Sequence, residues 1–383
     1  MGMQLTEEQK MLRDMVRDFA QTRIKPVAAE IDENETFPED IVAEMGELGL
    51  MGIPYSDEYG GAGMDYVSYA IAVEEIAKVC GSTAITLAAH ISLGIGPIAL
   101  FGSERQKKKY MPDLCSGKTL GAFGLTESQA GSDAGATQTS AVEMDDHFLL
   151  NGNKVFCTNG AYANFITISA LTEKGKGTKG ISCFVLEKGM EGFSVGKHEH
   201  KLGVRGSNTV VLHFTDVKIP KENLLGNRGE GFRQMLTVLD GGRISIAAMS
   251  LGLAEGAYEA TVAYVNERKA FGKPISSFQA TQFKLADMCT EIAAARHLVF
   301  DAARKKDADE PFMREAAMAK LYASEMASRV TSQAIQLFGG YGYMRDYPVE
   351  RMFRDNKICE IGEGTSEIQR LVIARTVLQE CAH

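Results

Sequence analysis

The segment Glu360-Ile361-Gly362-Glu363-Gly364-Thr365-Ser366-Glu367-Ile368-Gln369-Arg370 sets a carboxylate between two glycines just ahead of a helix-start pattern. Ser366 and Gln369 have capping-box spacing, so a helix is predicted from Ser366. Gly362 and Gly364 let a ligand approach the backbone closely, and the free N–H groups of a helix N-terminus suit an anion or oxyanion. A glutamate held there is suited to taking a proton as a general base. The same residues also fit an acidic side chain that merely decorates a helix start. A second cluster, Phe338-Gly339-Gly340-Tyr341-Gly342-Tyr343, fits either a helix stop or backbone packed against a flat ring or a diphosphate. A third, Thr126-Glu127-Ser128-Gln129-Ala130-Gly131-Ser132-Asp133, offers small polar groups for a ligand or for a turn.

The elements that must position these residues run α, then β, then α. Thr6 and Gln9 fit a capping box, and Met11, Leu12, Met15, Val16, Phe19 and Ala20 follow at helical spacing until Pro26 ends the run. Helices are predicted near residues 38–48, 66–79 and 104–110. From Gly121 to about Leu225 the chain turns to short β-rich runs. Asn151-Gly152, inside Phe148 to Phe156, signals a hairpin turn. Further strands are expected over 165–171, 181–186 and 209–214. The Gly/Lys-rich stretch 174–180 lacks the order of a phosphate loop and suits a solvated hairpin tip. Beyond Asn227, four long helices are expected over 231–267, 277–305, 311–338 and 366–381, as in a helical bundle. No strand-G-x-G-x-x-G-helix unit is present, which disfavours a Rossmann-type site.

Bulk properties exclude several classes. The chain has 383 residues, 45% hydrophobic and 24% charged, enough for two or three packed units. A net charge of −9 without a basic stripe disfavours nucleic-acid binding. No apolar run approaches the ~20 residues of a membrane span, and the acidic start resembles neither a signal nor a transit peptide, so a cytoplasmic location is expected. Cys80, Cys115, Cys157, Cys183, Cys289, Cys359 and Cys381 are scattered and read as reduced thiols, mostly buried. His198 and His200 read as surface residues, and no metal is expected.

Taken together and in order, several segments resemble the acyl-CoA dehydrogenase family, nearest its short-chain, butyryl-CoA-type members. They are residues 123–127 with Gly131-Ser132-Asp133, Thr158-Asn159-Gly160, Asp240-Gly241-Gly242-Arg243, residues 267–272, residues 336–342 and residues 363–370. The resemblance spans essentially the whole chain. It implies a multidomain α+β fold: an N-terminal helical domain (1–121), a middle β-barrel-like domain (122–226) and a C-terminal four-helix bundle (227–383), assembled as a homotetramer. It implies FAD, an acyl-CoA substrate and electron-transferring flavoprotein as redox partner.

By the same resemblance, Glu363 is the base that takes the substrate's α-proton, while the β-hydride goes to flavin N5. Leu125, Thr126, Phe156 and Thr158 line the flavin ring. Arg268, Phe271, Gln279 and the Gln336 to Gly340 turn, with Gly339 and Gly340, meet the FAD of a neighbouring subunit. Thr365 and Glu367 hold the cofactor beside the loop. Ser132, Asp240, Arg243, Gly362 and Gly364 serve the acyl-CoA. Two departures stand out. Gly362 replaces the family's usual tyrosine, which implies room for a branched, cyclic or aryl-substituted acyl group, and Phe156 replaces a common tryptophan. Isovaleryl-type relatives share the glycine but carry their base where this chain has Gly242, which leaves Glu363 as the base here. The alternatives are the same site working as an enoyl-CoA reductase or on a cyclic or aryl-substituted acyl-CoA, an acyl-CoA oxidase passing electrons to oxygen, and a non-catalytic flavin-binding or scaffolding relative.

Overall fold

The computed structural model describes residues 4–380, so Cys381 lies outside the described residues. The first third is helical: α1 (Glu7–Phe19), α2 (Ala28–Asn34), α3 (Glu39–Glu47), α4 (Tyr66–Ala77), α5 (Gly81–Ala89), α6 (Gly96–Phe101) and α7 (Glu104–Cys115). Thr6 and Gln9 form the reciprocal cap, with the Gln9 N–H donating to the Thr6 hydroxyl (3.1 Å) and the Thr6 N–H to the Gln9 side chain (3.0 Å). Leu12, Val16, Phe19 and Ala20 turn into the core, but Met11 is 73% exposed. Pro26 does not end the helical path. A π turn (Ala20–Ile24) and a 3₁₀ turn (Lys25–Val27) carry the chain into α2, and Pro26 sits at the start of the new turn, where its missing N–H costs little. Helix α7 also outruns its predicted end, passing through Pro112 to Cys115.

The middle third is one eight-stranded sheet of β1 (Leu120–Gly124), β2 (Ser140–Glu143), β3 (His147–Thr158), β4 (Ala163–Leu171), β5 (Ile181–Glu187), β6 (Phe193–His198), β7 (Thr209–Pro220) and β8 (Leu224–Leu225). The order is β6-β7-β3-β2-β4-β5-β8, with β1 parallel to β4. The expected hairpin at Asn151-Gly152 is absent because both residues lie mid-strand in β3, at a bulge opposite β7. Asn151 is stitched to Asp216, its amide donating to the carboxylate and the Asp216 N–H donating back (both 2.9 Å). At Gly152 a side chain would collide with Thr139. The turn-like dipeptide therefore serves a bulge rather than a reversal. Residues 172–180 form the exposed tip between antiparallel β4 and β5. His200 is exposed beside Glu35 (2.7 Å). Of the described cysteines only Cys289 is exposed.

The last third holds α8 (Gly231–Glu267), a two-residue ribbon of β9 (Lys269–Ala270) and β10 (Lys273–Pro274), α9 (Gln279–Asp307), α10 (Met313–Phe338), α11 (Val349–Ile361) and α12 (Ser366–Glu380). Helix α11 was not expected. It buries Val349, Met352, Asn356 and Cys359 at helical spacing, but Asp355 and Asn356 among the buried positions blur the apolar pattern. Helix α8 is the central rod, packed on α4, α9, α10 and α11. Its small inward residues permit close crossing: a side chain at Gly252 would strike the Glu74 carbonyl of α4, and one at Gly256 the Lys78 carbonyl just past its end. Gly81–Phe101 and Gly231–Glu267 do reach bilayer-spanning length and mean hydropathy (1.8 and 1.2), contrary to the expectation of no such run. In each, 78% of the apolar window is buried within the protein, as in core helices.

Candidate active site

The loop between α11 and α12 carries Glu363. Helix α11 closes with the Gly362 N–H on Ile358 O (2.7 Å). The chain then takes two left-handed residues in succession, Glu363 (φ 53°) and Gly364 (φ 92°). That conformation costs a non-glycine residue roughly 1–2 kcal/mol and needs outside support. Support comes from three hydrogen bonds to loop carbonyls. Gln369 Nε2 donates to Glu363 O (3.2 Å) and Gly364 O (2.8 Å), and Lys320 Nζ on α10 donates to Gly364 O (2.7 Å). Helix α12 does start at Ser366, but the predicted Ser366/Gln369 box is not formed. Thr365 is the cap, its hydroxyl accepting the Ile368 N–H (3.4 Å), while Gln369 is spent on the loop and the Ser366 hydroxyl is buried without a partner.

The Glu363 side chain lies against α8. A Cβ at Gly242 would overlap its carboxylate, so this glycine is the space that the carboxylate occupies. Arg243, the next residue, is buried and hydrogen-bonds Asp240 (2.5 Å). Nine buried side-chain polar atoms lack a partner among the described residues. Four of them, Glu363 Oε2, Arg243 Nε, Ser366 Oγ and Gln369 Oε1, belong to this cluster, a concentration of unpaired polar atoms that a bound ligand could satisfy. The Glu363 N–H also has no acceptor among the described residues. Burial pushes the Glu363 carboxyl up to about 7, with Lys320 and Arg243 pulling the other way. Burial also raises Asp240, against Arg243 and Lys306. A desolvated carboxyl that titrates near neutrality is the right strength for a general base.

Gly362 and Gly364 differ in kind. Gly364 needs its positive φ, whereas Gly362 has an ordinary φ of −67°, and the nearest atoms to a Cβ there belong to Ile358, its carbonyl oxygen at 3.3 Å. The backbone does not require glycine at 362. Glu367 is exposed in the first turn of α12.

Leu125, Thr126, Phe156 and Thr158 share one region of the sheet. The Val155 N–H donates to Thr126 O (2.9 Å), tying the segment after β1 to β3. Phe156 is 65% exposed with φ 58°, at a register break in β3, so a strained backbone presents an aromatic ring to the outside. Beneath them sits a buried ion pair that the sequence did not reveal. Lys154 Nζ donates to Glu127 (2.7 Å), Leu125 O (3.0 Å), Thr137 (3.0 Å) and Ser169 (3.2 Å). Glu127 also accepts from Thr137, Gln129 and the N–H groups of Gln138 and Thr139. Ser132 lies exposed on the following turn, and no hydrogen bond joins it to the Asp240 to Arg243 segment.

Arg268, Gln336, Gly339 and Gly340 gather elsewhere. A cleft of about 550 Å³ is lined by Tyr264, Arg268, Phe338, Gly339, Gly340 and Tyr341 among others, and none of the Glu363 loop enters it. Arg268 pairs with no carboxylate among the described residues and lies 5.6 Å from the Tyr341 ring. No heavy atom lies within 4 Å of a Cβ at Gly339 or Gly340, so this backbone is open to approach. Phe271 (95% exposed, φ 52°) and the exposed Gln279 stand beside it on the ribbon and the start of α9. An unpaired guanidinium, bare glycine backbone and exposed rings fit a diphosphate joined to flat rings. A larger cleft, about 820 Å³, lies among α1, α4, α8 and α9. Its charges are committed to each other, as in Arg17–Glu75 and Arg296–Glu74, and it holds none of the candidate residues.

Three family profiles cover the chain in tandem: the N-terminal (residues 6–118), middle (122–217) and C-terminal (229–378) domains of acyl-CoA dehydrogenase. A short-chain-specific acyl-CoA dehydrogenase of Clostridium acetobutylicum is 53% identical over 99% of this chain and 100% of that protein. An NADH-dependent acryloyl-CoA reductase of Anaerotignum propionicum is 49% identical over 99% and 96%. The solved butyryl-CoA dehydrogenase of Megasphaera elsdenii superposes with a TM-score of 0.97 at 46% identity, over 99% of this chain and 100% of that one. Likeness of this extent in both sequence and fold establishes that the chain belongs to the acyl-CoA dehydrogenase family and is an acyl-CoA dehydrogenase, a flavoprotein oxidoreductase.

Proposed function

We propose that the protein oxidises a short-chain, branched or cyclic acyl-CoA to the 2-enoyl-CoA, with Glu363 as the base. The observation that carries this reading is the Glu363 carboxylate, desolvated and unpartnered at Oε2 between Arg243 and Lys320. An α-proton beside a thioester is weakly acidic, so the negative charge that develops on the carbonyl oxygen must be stabilised as it forms. The free Glu363 N–H is a suitable donor for it. Glu363 takes the proton from the α-carbon, the β-hydrogen leaves with its bonding pair, and a C=C bond remains. FAD, when bound, supplies the acceptor for that hydride.

The remaining assignments follow the same reading. Leu125, Thr126, Phe156 and Thr158 would face the flavin ring, and Thr365 and Glu367 would hold the cofactor near the loop. Arg268, Phe271, Gln279, Gln336, Gly339 and Gly340 would hold FAD bound to a neighbouring subunit of a homotetramer. Ser132, Asp240 and Arg243 would contact the acyl-CoA. Electron-transferring flavoprotein would then reoxidise the enzyme. Gly362, in place of the family's usual tyrosine, would leave room beside Glu363 for an α- or β-substituent on the acyl group.

The test is the anaerobic visible spectrum of the FAD-loaded protein with a panel of straight, branched and cyclic acyl-CoAs. Bleaching by one thioester class supports the reading and names the substrate. A flavin that none of them bleaches opposes it. Reoxidation of the reduced protein by an enoyl-CoA would then favour physiological reduction, the direction named for the A. propionicum relative.

A further inference from the structure

Lys320 lies on α10, far in sequence from the loop it serves, and its side chain is fully buried. A lysine enclosed to this degree is costly unless its charge has work to do. Among the described residues its ammonium has one hydrogen-bond acceptor, the Gly364 carbonyl at 2.7 Å. Gln369 holds the same carbonyl from the α12 side at 2.8 Å. The peptide clamped between them joins the two left-handed residues Glu363 and Gly364, so the clamp fixes where the Glu363 side chain and N–H point.

We propose that Lys320 is a positioning residue: its ammonium pins the Gly364 carbonyl, thereby aiming Glu363, and stands as a compensating cation beside the Glu363 carboxylate. This rests on Glu363 being the base. Charged and titratable groups surround the pair. Lys320 on α10, Arg243 on α8 and Tyr69 on α4 act on the carboxylate directly, while Asp240 on α8 faces Arg243, and Cys359 and Glu360 on α11 face Lys320. Arg243 is already engaged by Asp240 (2.5 Å), and Glu360 by Ser328 and by Lys357 (2.5 Å). Lys320 is the cation in this set with no carboxylate hydrogen-bonded to it.

The experiment measures anaerobic flavin reduction by butyryl-CoA against pH in FAD-loaded wild type, Lys320→Met and Lys320→Arg. Lys320→Met should lower the limiting rate about tenfold or more. It should also move the midpoint of the pH profile upward by about one unit, since a lost cation leaves the carboxylate harder to ionise. Lys320→Arg, which keeps charge and donor, should restore most of both. A Lys320→Met protein with the wild-type rate and midpoint overturns the proposal. So does one that loses thermal stability without moving the midpoint, which is the mark of a merely structural role. If Lys320→Met does not retain FAD, Lys320→Gln, with a donor but no charge, carries the test: an upward midpoint supports the proposal and an unmoved one overturns it. Full reduction by Glu363→Gln would instead remove the base assignment itself, so the two failures are distinguishable.

Discussion

Two glutamates in this chain lie within reach of a buried lysine and end in opposite states. Burial tends to raise the Glu127 carboxyl, but Lys154 in direct contact, together with Thr137 and the Gln138 N–H, outweighs it and holds the group down at about 2. Glu363 also has a buried lysine close by, but Lys320 spends its hydrogen bond on the Gly364 carbonyl, and burial wins, holding the carboxyl at about 7. Contact with a lysine charge, backed by hydrogen bonds, therefore separates the glutamate that braces the sheet from the one proposed to react. The first is a closed network. The second keeps an oxygen unpartnered among the described residues, the atom proposed to take the substrate proton.

The contrast breaks most sharply at Glu363 itself. Glu363→Gln should retain FAD and bind acyl-CoA yet reduce its flavin about 10²–10⁴-fold more slowly, measured anaerobically by stopped flow. At the other site, Lys154→Met should cost about 3–5 kcal/mol in denaturant unfolding, because Glu127 would be left charged and enclosed. A loss below about 1 kcal/mol would show that the sheet network is not closed in this way.

Stability should also separate the two glutamates by sign. With its folded value raised above that of the unfolded chain, Glu363 favours folding only while it is protonated, and its contribution declines as pH rises from about 4.5 towards 7. Above neutrality Glu363→Gln should therefore be more stable than wild type, by on the order of 2–3 kcal/mol. Glu127 behaves the other way, supporting the fold above about pH 4.5 and losing that support as pH falls towards 2. Equal shifts for Glu363→Gln and Glu127→Gln at pH 8 would erase the distinction. The smallest effect is expected at Thr365. Removing its long capping bond in Thr365→Ala should lower stability by about 0.5–1 kcal/mol in thermal unfolding.

The legible parts were those written in local spacing. The α, β, α order, the Thr6/Gln9 cap and a glycine-flanked glutamate ahead of α12 all follow from neighbours a few residues apart. What stayed hidden depends on distant partners. Glu127 and Lys154 are separated by 27 positions and Lys320 and Gly364 by 44, and no local pattern joins either pair. Helix α11 escaped because its inward stripe includes Asp355 and Asn356, whose buried polar groups find partners far off in sequence, at Val204, Ser324 and Ser328. Asn151-Gly152 misled for the opposite reason, since local turn chemistry was overruled by the pairing of β3 with β7.

The most direct test of a desolvated Glu363 acting as the base is the pH dependence of anaerobic flavin reduction by an acyl-CoA in the wild-type holoenzyme. The rate should rise with pH through a midpoint near 7, as the carboxyl loses its proton and becomes able to accept another. A profile flat from about pH 5 to pH 9, or a midpoint near the ordinary carboxylate value of about 4.3, would contradict the account.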